Sequence, residues 1–307
     1  MAAPGGICCT RGHSREPQRR PQLHSRCTRT PETTLPEGHT IHRLAKNLDE
    51  LFTGTVVRAS AVQDKFAAGV AQLDGATVTG TDAWGKHLFV HASPAGGRPP
   101  LWLHVHLGLY GKFLHGKGSP AAPWGQLRLR LESERGWADL RGATASELLD
   151  ASERQRVIDR LGADPLRKNA DGDEPFERIS RSRTAIGALL MDQKVIAGIG
   201  NVYRAEILFR HGIDPHRPGR GVTSDEWSLL WADLQVLMRA GVRSGKIVTT
   251  RPDDRPRGRR TAATVRREDS HYVYRRAGEA CRRCGTPVAT EAMVARNLYW
   301  CPKDQAY

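Results

Sequence analysis

The apolar residues of this chain change their spacing part-way along, and that change limits the fold more than any other feature. Up to residue 131 they fall in short runs broken by glycine, over residues 55–57, 76–79, 87–91, 101–107 and 126–131. Runs of that length between turn residues are strands of a sheet or sandwich. One helix precedes them: Ile41, Leu44, Ala45, Leu48 and Leu51 recur at helical spacing, and Gly54 ends the run. Residues 94–100, which hold Pro94, Pro99 and Pro100, read as a loop. Beyond residue 147 the spacing is helical. Residues 147–160 form a charge-rich connector, and 176–192, 202–211 and 224–239 form further helices. The last has Ser224 as its expected N-cap, with Asp225 and Glu226 near its positive end. Residues 251–260 are basic and proline-containing, a loop, and from His271 the chain alternates as a hairpin. The fold class expected is α+β, with an N-terminal β-sandwich flanked by helices, then a helical domain, then a C-terminal hairpin. We divide the chain at 36–146, 147–268 and 269–307.

Residues 1–35 stand apart. They have no apolar periodicity, and Arg11, Arg15, Arg19, Arg20, Arg26 and Arg29 outnumber Glu16 and Glu32. Such a segment cannot bury enough surface to fold. The whole chain carries a formal charge of +14, which suits a polyanionic partner. No run of about 18 apolar residues occurs, so no membrane partner is expected. Of six cysteines, Cys8, Cys9 and Cys27 lie in the extension and Cys281, Cys284 and Cys301 cluster near the C-terminus. Without a secretory signal, close-spaced cysteines point to metal rather than disulfides, and to a cytoplasmic protein.

Cys281-x2-Cys284 and Cys301 are separated by 16 residues, the spacing of half a four-cysteine zinc site at the base of a hairpin. Asp304 stands where a fourth cysteine would. A three-cysteine, one-aspartate zinc site and a metal-free hairpin both remain open. Arg296 lies between the pairs, where a finger-tip guanidinium can meet a phosphate. A second constellation is Asp192-Gln193-Lys194-Val195-Ile196-Ala197-Gly198-Ile199-Gly200-Asn201. Its glycines allow a tight turn and close approach, and Asn201 opens a helix whose first amides favour an anion. By itself the segment is equally a plain helix–helix connection.

Taken together, these motifs resemble the formamidopyrimidine-DNA glycosylase/endonuclease VIII family. The turn at Ala197 to Asn201 is similar to that family's helix–two-turn–helix. Leu161-Gly162-Ala163-Asp164-Pro165-Leu166 is similar to the segment before it. The terminal cysteines resemble its zinc finger, and Pro36-Glu37-Gly38-His39-Thr40 resembles the mature N-terminus of the endonuclease VIII branch. The match runs from Pro36 to the end. It implies a bifunctional DNA glycosylase/AP lyase of base excision repair, probing double-stranded DNA that carries damaged bases or abasic sites, and working as a monomer. The resemblance assigns Pro36 as nucleophile, Glu37 as acid–base carboxylate, and Lys86 and Arg296 as further catalytic groups. It places Leu109 and Tyr110 in the gap left by an extruded base, Arg141 opposite the orphaned base, and Asn201 on a phosphate. It assigns a structural zinc to Cys281, Cys284, Cys301 and Asp304. The endonuclease VIII-like start favours oxidised pyrimidines.

The chemistry needs these residue types. A base in the duplex stack is out of reach, so it must be flipped and the gap held by a wedge. An N-terminal secondary amine is partly neutral near pH 7 and can attack the sugar C1′. Three departures from the family pattern stand out: Asp304 for cysteine, Thr40 for a second glutamate, and the extension itself. Behind Leu35, the Pro36 nitrogen is a planar amide and not nucleophilic. The extension is therefore cut off or never made. We favour the second, because Leu35 stands where an initiator methionine would. The rival reading is a non-catalytic damaged-DNA-binding protein on the same fold, which needs only the charge, the turn and the finger.

Overall fold

The structure, a computed structural model, describes residues 36–62, 66–261 and 264–306. The extension over residues 1–35 lies outside the described residues. The first element is α1 (Gly38–Phe52), whose Ile41, Leu44, Leu48 and Leu51 face inward as their spacing predicts. Its apolar face lies on a sandwich of two antiparallel four-stranded sheets. One sheet has the order β2-β3-β4-β8, from β2 (Thr77–Trp84), β3 (His87–Ser93), β4 (Leu101–His106) and β8 (Ala145–Leu149). The other is β1-β6-β7-β5, from β1 (Arg58–Ser60), β5 (Lys112–Gly116), β6 (Leu127–Ser133) and β7 (Gly136–Arg141). A short helix, α2 (Ala67–Leu73), packs beside β1. Leu88, Val90, Leu103, Val105, Leu129 and Leu140 fill the space between the sheets with the inner face of α1.

Several elements depart from the sequence expectation, each for a local reason. The strand expected at 55–57 starts at Arg58, with Val56 making only a single bridge to Thr77. Residues 136–141 form a strand that apolar alternation does not announce, because its Asp139 and Arg141 are buried with Arg130 as ion pairs. The connector helix is shorter than 147–160. Residues 145–149 belong to β8, and α3 (Ala151–Ile158) begins after Asp150, which forms a capping box with Glu153. The single helix expected over 176–192 is two, α4 (Asp173–Ser180) and α5 (Ile186–Leu189). Ala185 is extended between them and bridges Pro218. The N-cap of α7 (Ser224–Ser244) is Thr223, not Ser224, because the Thr223 hydroxyl accepts the Glu226 amide while the Glu226 carboxylate accepts the Thr223 amide.

The helical domain is built around α6 (Asn201–Arg210). Every residue from Asn201 to Phe209 is buried, including Arg204 and Glu206. Glu206 accepts the amides of Tyr272, Val273 and Tyr274, each at 2.8 Å, and so holds the chain that leads into the C-terminal hairpin. That hairpin, β9 (Ala289–Met293) and β10 (Arg296–Trp300), is the finger expected from the cysteines. No helix among the described residues is long and apolar enough to cross a membrane.

Candidate active site

Glu37 precedes α1, yet its carboxylate does not cap that helix. It crosses to the first turn of α6, where Oε2 accepts the Gly200 amide at 3.0 Å and Oε1 the Val202 amide at 2.8 Å, with the Tyr203 amide at 3.5 Å. A helix's first amides have no partner of their own and carry partial positive charge, so a carboxylate from one domain completes a helix of the other. Glu37 is 1 % exposed. Burial raises its pKa above the ordinary carboxylate value, against the opposing pull of Lys86 and the three amides. Gly200 is obligatory in this arrangement, since a Cβ there would lie 2.5 Å from the Glu37 Cδ.

Lys86 is presented by the turn between β2 and β3. Gly85 in that turn has φ +57°, and a Cβ on it would meet Ala197 at 2.8 Å. The buried Asp164 fixes the turn. Its Oδ2 accepts the Gly85 amide at 2.7 Å and bonds the His42 ring at 2.7 Å, while the Trp84 indole donates to the Gly162 carbonyl at 3.1 Å. Lys86 Nζ then donates to the Ile199 carbonyl at 2.6 Å. Burial lowers the Lys86 pKa; Glu37 raises it and Arg296 lowers it further. The same seam is closed by Gly38, whose amide donates to the Gly198 carbonyl at 2.8 Å. Gln193 braces the turn from behind, accepting the Gly198 amide at 3.0 Å and donating to the Ile199 carbonyl at 2.9 Å.

The finger reaches the same place. The Asn201 side-chain amide donates to the Asn297 carbonyl at 2.9 Å, and Arg204 donates to the Asn201 side-chain oxygen and to the Met293 carbonyl at 3.3 Å. These bonds set the tip of the hairpin, and with it Arg296, over the start of α6. The result is one cleft of about 350 Å³ whose wall includes Pro36, Glu37, Lys86, Leu109, Asn201 and Arg296. Leu109 and Tyr110 occupy the turn between β4 and β5 at its mouth, 43 % and 84 % exposed.

Seven of the eight expected catalytic and DNA-binding residues thus gather in or beside one cleft. Arg141 does not. It is 8 % exposed, its guanidinium donates to Asp139 at 2.7 Å and to the Trp124 carbonyl, and it lies under the Trp124 ring at 4.1 Å. A fork committed to those partners has no surface to offer a base. The expectation assigned no role to Asp164, Gln193 or Arg204, and gave Gly200 only the general task of allowing a tight turn and close approach. Asp164 and Gln193 lie in motifs the sequence displayed; the partners of Asp164, at His42 and Gly85, are remote along the chain, whereas Gln193 bonds within its own turn to Gly198 and Ile199.

At the base of the finger, the Sγ atoms of Cys281, Cys284 and Cys301 and a carboxylate oxygen of Asp304 lie within 4.8 Å of one another. Cys284 and Cys301 Sγ are 3.4 Å apart, and Cys281 Sγ is 3.0 Å from Asp304 Oδ2. Ligands about 2.0–2.3 Å from a tetrahedral zinc stand roughly 3.3–3.8 Å from each other, so the cluster fits that ion.

Residues 35–145 match the formamidopyrimidine-DNA glycosylase N-terminal domain, 161–253 the formamidopyrimidine-DNA glycosylase H2TH domain, and 278–306 the zinc finger found in FPG and IleRS. The chain is 46 % identical to endonuclease 8 1 of Mycobacterium tuberculosis over 285 residues, covering 88 % of this chain and 100 % of that protein. The chain belongs to the formamidopyrimidine-DNA glycosylase/endonuclease VIII family. A second family member, the formamidopyrimidine-DNA glycosylase of Geobacillus kaustophilus, is 30 % identical over 88 % of this chain and 98 % of its own length. Among solved structures, Lactococcus lactis formamidopyrimidine-DNA glycosylase, bound non-covalently to DNA with an AP site, superposes with a TM-score of 0.72. It covers 88 % of this chain and 100 % of that one at 20 % identity, a likeness of fold.

Proposed function

We propose that this protein excises oxidised bases, pyrimidines first, from double-stranded DNA and then cleaves the strand through a Schiff base on Pro36. Family membership makes it a DNA glycosylase/AP lyase of base excision repair. The observation that carries the finer reading is the convergence of Pro36, Glu37, Lys86 and Arg296 on one cleft beside an exposed wedge. Charge supports the choice of partner: residues 1–35 hold six Arg and two Glu, so the chain from Pro36 keeps a formal charge of +10, and phosphates bind it with release of counterions.

The residues divide the reaction as follows. The neutral Pro36 amine attacks C1′ of the flipped nucleotide; the bond from C1′ to the base breaks, and the base leaves with the electron pair and a proton. Glu37, buried and with a raised pKa, gives and takes the proton at the sugar as its ring opens to the Schiff base. Loss of a proton from C2′ then expels the 3′ phosphate, and a second proton loss expels the 5′ phosphate. Water hydrolyses the remaining imine and returns the amine. Lys86 binds the adjoining phosphate or passes a proton, and the Arg296 guanidinium, which stays charged, meets a phosphate. Cys281, Cys284, Cys301 and Asp304 would hold zinc, which supplies the cross-link that keeps the finger in register. Elemental analysis after chelator-free purification is expected to find about one equivalent; less than a tenth supports a metal-free hairpin.

The working enzyme begins at Pro36 in this reading, because an amide nitrogen cannot form the imine. The test is borohydride trapping on abasic DNA, with the N-terminus of each form verified by mass. The form starting at Pro36 is expected to give a covalent adduct and the uncut 307-residue form none. Equal trapping of both forms removes Pro36 as nucleophile. Trapping of neither favours a DNA-binding protein without catalysis.

A further inference from the structure

Arg141 is withdrawn from the surface, but what it holds is not. Trp124 is 65 % exposed, among the largest apolar side chains left open to solvent. It is nevertheless pinned. Its carbonyl accepts from the Arg141 guanidinium, and one face of its indole covers that guanidinium at 4.1 Å. Arg141 in turn shares Asp139 with Arg130, whose Nε lies 2.7 Å from Oδ1. All three charged groups are buried. A buried charge network costs desolvation and is a poor way merely to stiffen a strand. Here it fixes a bulky aromatic ring with one face on a cation and the other in water.

The ring's surroundings identify what the open face takes. From Leu107 to Leu129 the sequence holds Lys112, Lys117 and Arg128 and no acidic residue. The segment is thus complementary to a phosphate backbone. Lys112 pairs with Arg141 across the sheet. A Cβ on Gly142, the next residue, would lie 3.6 Å from the Tyr110 carbonyl. Trp124, through Arg141, and the exposed Tyr110, through Gly142, therefore lie beside consecutive residues at the end of β7. Trp124 is absent from the wall of the cleft that holds Pro36 and Glu37. A base on its ring is therefore not the flipped one.

We propose that Trp124 is a DNA-binding residue that stacks on the unpaired nucleobase left in the opposite strand when the damaged base is flipped out, whichever base that is. Stacking on a pinned ring loses little side-chain entropy, and the guanidinium behind it holds the plane. The inference rests on the glycosylase reading above. It transfers to Trp124 the contact that the family resemblance assigned to Arg141.

The test uses the form starting at Pro36, with Trp124→Ala and Trp124→Phe beside the wild type. Excision kinetics are measured on duplexes that differ only in the base opposite the lesion. Binding is followed by the emission of 2-aminopurine placed opposite a tetrahydrofuran abasic analogue. Loss of one stacked base raises KM roughly ten-fold or more, and the loss falls on KM rather than kcat. Trp124→Phe recovers most of it. Wild type quenches the 2-aminopurine and Trp124→Ala does not. Trp124→Phe keeps a ring over the Arg141 guanidinium and is expected to melt as wild type does, whereas Trp124→Ala uncovers it and is expected to melt slightly lower without unfolding. KM within two-fold of wild type in Trp124→Ala, or quenching that survives it, overturns the proposal while leaving the glycosylase reading intact. A wild type that excises no lesion sinks that reading instead, and the 2-aminopurine signal, which needs only binding, still decides the role of Trp124.

Discussion

The floor of the cleft and its rim are built on opposite principles. On the floor, Glu37, Asn201 and Arg204 are buried, and Glu37 is hydrogen-bonded before any substrate arrives. On the rim, Leu109, Tyr110 and Trp124 are apolar or aromatic and open to water. A buried charge must be compensated within the fold, so the floor is preorganised and changes there disturb the protein itself. The rim exposes surface that only a partner covers, so changes there alter binding and leave the fold alone.

The sharpest way to break this contrast is Glu37→Gln. The Gln oxygen still accepts on one side, its NH2 faces an amide donor on the other, and the group cannot pass a proton. Single-turnover base excision is expected to fall roughly 10²–10⁴-fold while DNA affinity stays near wild type. Unchanged excision removes Glu37 from the chemistry. Gly200→Ala probes the floor without touching a reacting group. The new methyl would sit against the Glu37 carboxylate, and its backbone angle of φ −126° adds no strain of its own. Displacing the carboxylate is expected to slow excision by up to about 100-fold, with a lower melting temperature. A variant as fast and as stable as wild type shows that the seam between α1 and α6 is loose. Tyr110→Ala tests the rim. Melting should not move, and KM should rise about ten-fold with little change in kcat. A fall in stability would mean that the turn is packed in the fold after all.

An effect on the fold alone, with none on the chemistry, is a pH dependence carried by His39, buried in α1 behind the cleft. Burial pulls the pKa of His39 down from 6.5 to about 3, helped by the nearby Arg43 and His42. The unfolded chain binds a proton on this ring below pH 6.5 and the folded chain does not. The stability this neutral ring allows is therefore complete above about pH 6.5 and is lost progressively as pH falls toward 3. The slope for one such group is about 1.4 kcal/mol per pH unit. Urea unfolding of wild type and His39→Gln at pH 7, 6 and 5 should show a shallower dependence in the variant. Equal slopes would mean that the ring is already protonated in the folded state. No rim group enters this dependence.

Legibility followed the same division. Leu109 and Tyr110 were named by resemblance alone, and the structure leaves both exposed in the turn between β4 and β5. The finger was readable because its cysteines are close in sequence, and the α6 turn because its glycines are contiguous. The strand at 136–141 escaped because Asp139 and Arg141 interrupt the apolar alternation, and only Arg130, nine residues away, makes their burial tolerable. Arg141 was placed at the surface by resemblance, since a buried and an exposed arginine are the same letter. Trp124 carried no signal, lying in a loop of glycine, proline and alanine.

The sequence by itself determined the local matters: where apolar spacing is two or 3.6 residues, where glycine permits a turn, and which thiols lie near enough to share an ion. Only the tertiary structure decided how the parts complete one another. Glu37 completes a helix whose N-cap, Gly200, lies 163 residues later, Asp164 fixes a turn 79 residues before it, and Arg141 turns inward to hold Trp124. The physical reason is that apolar burial is non-directional and leaves a periodic trace along the chain. A buried polar group is satisfied by one partner at one distance, and that partner's place in the sequence follows no period.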